Sequence, residues 1–233
     1  NVRLVGEDVV ERDLLVPAGY RLGSLEMALL IAGGVTSLPV RRKPLLVVIP
    51  TGREIVDIFT EGVGQLAKGR LIDIDSYTIA SLAEDLGFTV SRRPVALTRD
   101  DVRQRLTEAV GEADVVCIIA GSSAGSEDYT ESVIAEEGTL IFHGISLMPG
   151  KPAMLGIVRE KPVLGMPGYP VSAVIAFRSL VKPIYEKLSG QSVPRRSVTC
   201  LPAAKIPSRM GMAEAVRVNL INVGRRFYAL PLP

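Results

Sequence analysis

The residues best suited to bind a ligand form a run of small side chains followed by two acids. Residues 121–126 are glycine, serine and alanine, and Glu127 and Asp128 come directly after them. Small side chains let backbone N–H groups approach a phosphate, and a helix that starts next adds partial positive charge. Carboxylates at this position are placed to hold a metal that bridges to the phosphate. The run therefore indicates a phosphorylated or oxyanion ligand with a divalent cation.

Three further loops contain glycine or proline and follow predicted strands. They are residues 51–54, 148–152 and 165–170. In open parallel sheets, ligands bind outside the carboxyl ends of the strands, so loops that follow parallel strands meet at one rim. We therefore predict that these three loops and residues 121–128 converge on one ligand site.

Each loop also has a purely structural interpretation. Glycine and proline clusters commonly do no more than make turns. Glu54 and Asp128 suit the first turn of a helix, and residues 98–101 (Thr-Arg-Asp-Asp) are typical of a helix cap, which would account for Asp100. Lys151 suits a solvated loop as well as a phosphate clamp. The convergence of four loops, rather than any single loop, favours a ligand site.

Several other kinds of site are disfavoured. The run 121–128 lacks both the Gly-Lys-Ser/Thr ending of a Walker A motif and the Gly-x-Gly-x-x-Gly dinucleotide pattern. His143 is the single histidine, which excludes a multi-histidine metal cluster and favours a structural hydrogen-bonding role for this residue. Cys117 and Cys200 lie too far apart in sequence for a zinc motif or a disulfide framework, and Cys117 fits a buried strand.

The composition is that of an ordinary globular protein. Of 233 residues, 47% are apolar and 22% charged. The net charge of +2 and the 5% aromatic content argue against a nucleic-acid partner. We expect no membrane contact, because no apolar stretch reaches the roughly 18 residues of a membrane span. The first residues lack a signal-peptide layout, so we expect a cytoplasmic location.

The elements that must position the four loops alternate between strands and helices. Unbroken apolar runs at 45–50 and 115–120 predict buried strands, and further strands are predicted at 88–90, 139–143, 156–159 and 161–165. Helices are predicted at 24–31, 76–86, 98–110, 129–137 and 171–188. This alternation predicts an α/β fold, namely a three-layer α/β/α core with a mostly parallel sheet.

The domain organisation follows from shifts in the pattern along the chain. Residues 1–43 form a segment that leads in from an N-terminal domain, with short strands expected within 14–20 and 35–40. Residues 44–188 form the α/β domain. Residues 189–233 carry β-forming stretches at 197–201, 213–220 and 226–230, which predict part of a small C-terminal β domain.

Seven motifs in order along the chain resemble those of one known family. They are Val5-Gly-Glu-Asp8 with Val16-Pro-Ala-Gly19, Pro50-Thr-Gly-Arg-Glu54, Asp73-Ile-Asp-Ser76, Arg99-Asp-Asp101, residues 121–129, Pro149-Gly-Lys-Pro152 and Pro167-Gly-Tyr-Pro-Val-Ser172. The family is that of the molybdopterin molybdenumtransferases, the MoeA-type proteins related to the gephyrin E domain. The resemblance covers nearly the whole chain.

The resemblance implies a fold, a reaction and partners. The fold would be the family's molybdopterin-binding α/β domain with a partly present C-terminal β domain. The family reaction takes adenylated molybdopterin, inserts molybdate at the dithiolene and releases AMP, with a divalent cation such as Mg²⁺. The resemblance thus implies a small-molecule pterin substrate and a homodimer whose active site lies near the subunit interface.

The resemblance also implies roles for individual residues. Four acids would handle the metal and molybdate, with the last three as metal ligands: Asp8, Glu54, Asp100 and Asp128. Lys151 would meet phosphate or oxyanion charge. The pterin and phosphate pocket would be shaped by Thr51, Gly52, Gly121, Ser122, Ser123, Gly125, Ser126, Pro167, Gly168 and Pro170.

The chain departs from the family pattern at several of these positions. Arg53 stands in place of an aspartate, Met148 in place of a lysine and Tyr169 in place of an asparagine, and residues 122, 124 and 126 alter the glycine-valine loop. Two alternatives therefore stay open beside molybdate insertion. One is a molybdopterin adenylyltransferase, which shares the α/β core, and the other is a non-catalytic molybdopterin- or molybdate-binding protein.

Overall fold

A computed structural model describes residues 2, 4, 6–66, 68–119 and 129–232. Within these residues the α-helices are α1 (Ser24–Ala32), α2 (Ile58–Glu61), α3 (Asp75–Leu86), α4 (Arg99–Glu112), α5 (Thr130–Glu137), α6 (Pro170–Ala176) and α7 (Lys182–Ser189). The strands are β1 (Leu45–Pro50), β2 (Ile55–Val56), β3 (Leu71–Ile72), β4 (Thr89–Arg92), β5 (Val115–Ile119), β6 (Thr139–His143), β7 (Leu147–Met148), β8 (Met154–Val158), β9 (Lys161–Met166), β10 (Leu201–Pro202), β11 (Ala213–Glu214), β12 (Val218–Val223) and β13 (Arg226–Pro231).

The central sheet has six strands in the order β4-β1-β5-β9-β8-β6. The first four strands are parallel to one another, β8 is antiparallel to β9, and β6 is antiparallel to β8. Strand β6 therefore runs in the same direction as β9. The loops after β1, β5, β6 and β9 consequently leave the sheet at the same edge, which confirms the mostly parallel sheet predicted from the sequence.

Strand β1 shows how the sheet supports two helical layers. Its central residues Leu46, Val47, Val48 and Ile49 have no exposed surface, and their side chains alternate between the two faces. Leu46 and Val48 belong to the apolar cluster that includes residues of α3, α6 and α7. Val47 and Ile49 belong to the cluster on the other face, which includes residues of α4 and α5. The predicted three-layer core is therefore confirmed.

Local sequence signals set the ends of two helices as predicted. The Thr98 hydroxyl accepts a hydrogen bond from the Asp101 amide at 3.1 Å, and the Asp101 carboxylate accepts one from the Thr98 amide at 3.0 Å. This reciprocal capping begins α4. Helix α3 ends where Gly87 takes a left-handed conformation with φ of 114°, which costs glycine little.

The long helix predicted at 171–188 is continuous but not uniform. Helix α6 passes through one π-helical turn, Phe177–Val181, into α7. Pro170 occupies the first turn of α6, where its missing N–H costs nothing. Among the described residues, no helix is long and apolar enough to cross a membrane.

The N-terminal segment corrects two predictions. Helix α1 forms as expected, but neither 14–20 nor 35–40 is a strand in the described chain. Each stretch contains a proline, Pro17 or Pro39, which cannot donate to a sheet, and most of their side chains are exposed. A β-forming pattern without a partner strand leaves the segment irregular.

Residues 189–233 contain the predicted β structure in shorter pieces. Strands β10, β13 and β12 form a three-stranded sheet, with β12 antiparallel to β13 and β10 parallel to it. The single strand predicted at 213–220 is divided into β11 and β12. Strand β11 leaves the small sheet and pairs instead with β7, which lies in a loop of the α/β domain.

Gly156 on β8 lies where α5 packs closely against the sheet. A Cβ at Gly156 would lie 2.2 Å from Ile134 Cγ2 and 3.0 Å from the Thr139 carbonyl oxygen. We expect Gly156→Ala to lower the free energy of unfolding by about 1–3 kcal/mol, as overpacked cores do. Gly111 in α4 has open space, so Gly111→Ala should raise it by up to about 1 kcal/mol. Urea denaturation measures both, and equal effects would contradict the proposed packing.

Candidate functional site

A cavity of about 540 Å³ opens at the carboxyl ends of β1 and β5. Most of its lining is apolar, with a few hydroxyl, carboxyl and guanidinium groups. The lining residues are Pro50, Thr51, Glu54, Ile55, Leu66, Arg70, Leu71, Ile72, Asp73, Ile74, Asp75, Ile119, Gly168, Tyr169 and Pro170. The cavity therefore brings together the loops after β1 and β9, the end of β5 and the segment before α3.

The topology explains why the cavity lies there. After β1 the chain crosses to β4 on one side of it and then returns to β5 on the other side. The connections diverge between β1 and β5, and this leaves a crevice at the carboxyl ends of the two strands. Crevices at such switch points are the usual ligand sites of open α/β sheets.

The loop after β1 carries three predicted site residues. The Thr51 hydroxyl donates to the Ile119 carbonyl oxygen at 2.8 Å, which ties the ends of β1 and β5 together. Gly52 has φ of 130°, and a Cβ there would lie 3.0 Å from the Glu54 carboxylate. Glycine thus lets the loop fold Glu54 back into the cavity wall. Thr51 and Glu54 line the cavity directly, and Gly52 shapes the turn between them.

The loop after β9 supplies the facing wall. Gly168 and Pro170 line the cavity, together with Tyr169 between them. Pro167 is buried beneath the loop and is not part of the cavity lining. The prolines on both sides of Gly168 and Tyr169 fix the backbone angle φ where this loop enters α6.

Other predicted residues lie outside the cavity wall. Asp100 is exposed in the first turn of α4, and Asp8 is exposed in the N-terminal segment. Lys151 is exposed in the turn between β7 and β8, where its carbonyl oxygen accepts the Ile145 amide at 2.9 Å. His143 forms a 2.9 Å contact through Nδ1 with Glu131, the kind of structural partner expected for it.

Six predicted residues lie outside the residues that the structure describes. They are Gly121, Ser122, Ser123, Gly125, Ser126 and Asp128. The described chain reaches the start of this loop at Ile119, which lines the cavity. Within the described ranges, no group of three or more histidine, cysteine or carboxylate side chains could hold a metal ion.

The cavity adjoins, through Asp73, a group of buried and half-buried polar residues, here called the Arg92 cluster: Asp57, Asp73, Ser76, Tyr77 and Arg92. Nη2 of Arg92 lies 3.1 Å from Oδ2 of both Asp57 and Asp73. Its Nε donates to the Ser76 hydroxyl at 2.9 Å, and its guanidinium carbon lies 3.3 Å from the Tyr77 ring centroid. Asp73 also accepts from the Ser76 amide, in the first turn of α3, at 3.0 Å.

Interactions within the cluster keep Asp57 and Arg92 charged although burial favours their neutral forms. Burial alone would raise the pKa of Asp57, but hydrogen bonds from Tyr77, the Phe59 amide and Arg92 together lower it below the ordinary value. Burial likewise opposes the charge on Arg92, but its hydrogen-bonding partners raise the pKa of the guanidinium. The cluster is therefore ionic at neutral pH, and it fixes the segment that precedes α3.

Asp75 is a cavity residue that the sequence-based prediction missed. It is 8% exposed, and its Oδ1 has no hydrogen-bond partner in the described part of the chain. Burial, and then the neighbouring Asp73 carboxylate, raise the pKa of Asp75 to about 6. A signal was present in the sequence, because the motif Asp73-Ile-Asp75 places an acid where the resembled family has asparagine.

Comparisons with known proteins agree with this fold. Residues 47–187 match the sequence model of a family described as "Probable molybdopterin binding domain". A molybdopterin molybdenumtransferase from Haemophilus influenzae is 31% identical over 192 residues, covering 82% of this chain and 46% of the relative. Molybdopterin molybdenumtransferase 1 from Mycobacterium tuberculosis is 29% identical over 218 residues, covering 90% of this chain and 50% of the relative.

Among solved structures, a molybdopterin biosynthesis MoeA protein from Pyrococcus horikoshii superposes with a TM-score of 0.82 at 32% identity. The match covers 97% of this chain and 54% of that one. The chain thus spans about half the length of the relatives it matches. It belongs to the molybdopterin-binding domain family. Within that family its similarity is to the MoeA-type molybdopterin molybdenumtransferases, which confirms the resemblance seen in the sequence motifs.

Removing the central cation of the Arg92 cluster should be costly. We expect Arg92→Met to lower the free energy of unfolding by about 3 kcal/mol, because two buried carboxylates lose their counter-charge. Arg103 pairs with Glu137 on the surface, so Arg103→Met should cost less than about 1 kcal/mol. Urea denaturation near neutral pH compares them. Similar losses in both variants would show that Arg92 makes no special contribution.

The raised pKa of Asp75 predicts a pH-dependent effect on stability. The native carboxyl keeps its proton up to about pH 6, whereas the unfolded one loses it near pH 4, so its stabilising contribution falls as pH rises through this window. Asp75→Asn removes the titration. We expect this variant to be more stable than the parent near pH 7.5, by on the order of 1 kcal/mol, and to lose that advantage near pH 4.

The exposed Asp85, on the same helix, provides a matched control. We expect Asp85→Asn to change the free energy of unfolding by no more than about 0.5 kcal/mol at either pH. Thermal melts at the two pH values measure both variants. An Asp75→Asn advantage that is independent of pH would contradict the assigned ionisation.

Proposed function

We propose that the protein inserts molybdate into adenylated molybdopterin and releases AMP. One observation carries this proposal: a cavity at the switch point of a molybdopterin-binding fold is lined by residues from several of the predicted motifs. Thr51, Glu54, Gly168 and Pro170 were proposed as site residues from the sequence, and all four line this cavity. The proposed roles of Gly52 and Pro167 are to shape the loops that present them.

The wall chemistry is suited to a pterin linked to a nucleotide. Apolar side chains such as Ile55, Leu71 and Ile119 offer flat contacts for an aromatic heterocycle. The polar groups are few and occupy defined positions, as expected for groups that orient a ligand rather than solvate it. Packing of the ligand against these walls would exclude water from the phosphoanhydride.

Mg²⁺ is the proposed metal, and the donors present fit it. Mg²⁺ commonly binds through one or two carboxylates, with water and substrate phosphates completing its shell. Glu54 presents a carboxylate at the cavity wall. We propose that Glu54, Asp100 and Asp128 hold the metal, with Asp8 as a further acid of the site. When bound, Mg²⁺ would neutralise phosphate charge and polarise the anhydride.

Lys151 is proposed to meet the oxyanion from a neighbouring loop. Its side chain is exposed, so it is free of burial costs before a ligand arrives. The loop that carries it is anchored, because the Ala213 amide donates to the Ser146 carbonyl and the Ala215 amide to the Met148 carbonyl, both at 2.8 Å. The C-terminal segment would thereby help to position Lys151.

The domain boundaries at residues 43 and 188, the homodimer and the cytoplasmic location stay predictions. The lead-in segment is joined to the α/β domain by Arg42, whose guanidinium donates to both carboxylate oxygens of Asp114 at 2.6 and 2.7 Å. This pairing lowers the pKa of Asp114. The two segments are therefore attached to each other, although they are proposed to have separate origins within the family architecture.

The proposed reaction is tested by AMP release from adenylated molybdopterin by the full-length protein with Mg²⁺, with and without molybdate. We expect release to depend on molybdate. Asp128→Asn should abolish it, and Glu54→Gln should slow it by at least about tenfold, because each removes a proposed metal ligand. Asp85→Asn should leave it unchanged. Chromatographic quantitation of AMP measures all four proteins.

Two outcomes would overturn the assignment. Normal turnover in Asp128→Asn would remove that residue from the site. Tight binding of the adenylate without AMP release would instead favour a non-catalytic binding protein. A parallel reaction with Mg-ATP and unadenylated molybdopterin identifies the adenylyltransferase alternative, because only that enzyme would form the adenylate.

A further inference from the structure

The Asp75 carboxyl lies in the cavity wall and receives no hydrogen bond from the described part of the chain. Its neighbour Asp73 also lines the cavity, but Asp73 is paired with Ser76 and Arg92. Asp75 is 8% exposed, and its Oδ1 is buried and unpartnered among the described residues. Rotation about the last side-chain bond of aspartate is broad and nearly two-fold, so either oxygen can turn toward a donor in the cavity. Buried acceptors are normally satisfied, so this one calls for a partner.

The cavity lining also contains one donor atom that has no partner among the described residues. Arg70 lines the cavity, and its Nε is buried without a hydrogen-bond partner in the described chain. Its Nη2 donates to the Ile55 carbonyl oxygen at 3.2 Å, which orients the guanidinium. One wall therefore offers both an acceptor and a donor to whatever fills the cavity.

We propose, resting on the proposed function, that Asp75 binds the amino edge of the pterin ring. Its carboxylate would accept hydrogen bonds from the 2-amino group and the adjacent ring N–H, and Arg70 would donate to the ring oxygen beside them. The edge of a pterin presents two donors followed by an acceptor, which suits a cavity lined by both a carboxylate and a guanidinium. Asp75 is thus a specificity-determining residue for the heterocycle.

An adenine ring would fit this wall less well. Its edge presents one amino donor beside a ring nitrogen that is an acceptor, and a carboxylate would face that nitrogen with like polarity. A pterin instead offers a carboxylate two parallel donors. Charge-assisted bonds of this paired kind are stronger and more selective than single neutral ones.

The electrostatic surroundings keep this acceptor available. Asp75 shares the cavity with Glu54, Arg70, Asp73 and Tyr169, while Arg92 on β4 is engaged by the cluster behind the wall. Burial and Asp73 hold the pKa of Asp75 near 6, so the carboxyl is ionised at neutral pH. At neutral pH, hydrogen-bond donors of the ligand would offset the cost of that buried charge. At lower pH, protonation of the carboxyl removes the charge instead.

The test compares two probes, pterin and lumazine, which differ in the 2-position group. Lumazine carries an oxygen where pterin has the amino group, so it turns an acceptor toward Asp75. We expect the full-length parent protein to bind pterin at least about tenfold more tightly than lumazine near pH 7.5, because a site built around a donor rejects its replacement. Asp75→Asn, whose amide can donate to that oxygen, should narrow or reverse the preference. Fluorescence titration or calorimetry measures the four affinities.

Three further measurements complete the test. Asp85→Asn should leave the preference unchanged, and Arg70→Met should weaken both probes by a similar factor, because both have the ring oxygen. Equal loss of pterin and lumazine affinity in Asp75→Asn would overturn the proposal, as would a loss of AMP affinity with pterin binding intact. No binding of either probe to the parent protein would also overturn it. These titrations need neither molybdate nor turnover, so their failure is distinguishable from failure of the proposed reaction.

Discussion

The cavity depends on one guanidinium that meets two buried carboxylates from separate parts of the chain. Arg92 ends β4, Asp57 follows β2, and Asp73 follows β3, so a single cation fixes three segments around one point. Separating these segments would leave buried charges without partners, which is costly. The ion pairs therefore hold the segments together even though β2 and β3 are only two residues long each. The wall of the candidate site is therefore held by ion pairs in a region beyond the central sheet, where the strands are short and form few backbone hydrogen bonds.

The same arrangement explains why Asp75 has no hydrogen-bond partner among the residues that the structure describes. The Asp73 carboxylate accepts the Ser76 amide and pairs with Arg92. Asp75 lies two residues further on, in the first turn of α3. A helix start favours an acid, but burial and the nearby Asp73 disfavour a second charge. Such a local conflict is typical of functional sites, where stability is given up for an unsatisfied group that a ligand can use.

The sequence predicted most of the fold because those signals are local. Apolar runs marked β1 and β5, Thr98 and Asp101 marked the start of α4, and Gly87 marked the end of α3. The meeting of the loops after β1 and β9 at one cavity was also predicted, since the parallel-sheet rule places Thr51 and Gly168 at one edge. The Arg92 cluster could not be predicted, because its ion pairs join residues 35 and 19 positions apart. The strands expected at 14–20 and 35–40 were wrong, since strand formation requires a partner that a local pattern does not supply.

The C-terminal segment has a closer relation to the site than its small sheet suggests. Strand β11 pairs in parallel with β7, whose two residues come directly before Pro149, so the backbone that leads to Lys151 is held from outside the α/β domain. Loops in open sheets otherwise vary in conformation, because only their ends are fixed by strands. Two backbone hydrogen bonds here fix the middle of the loop. The position of Lys151, the cation proposed for an oxyanion ligand, therefore depends on both the parallel sheet, which sets the edge, and the C-terminal segment, which restrains the loop.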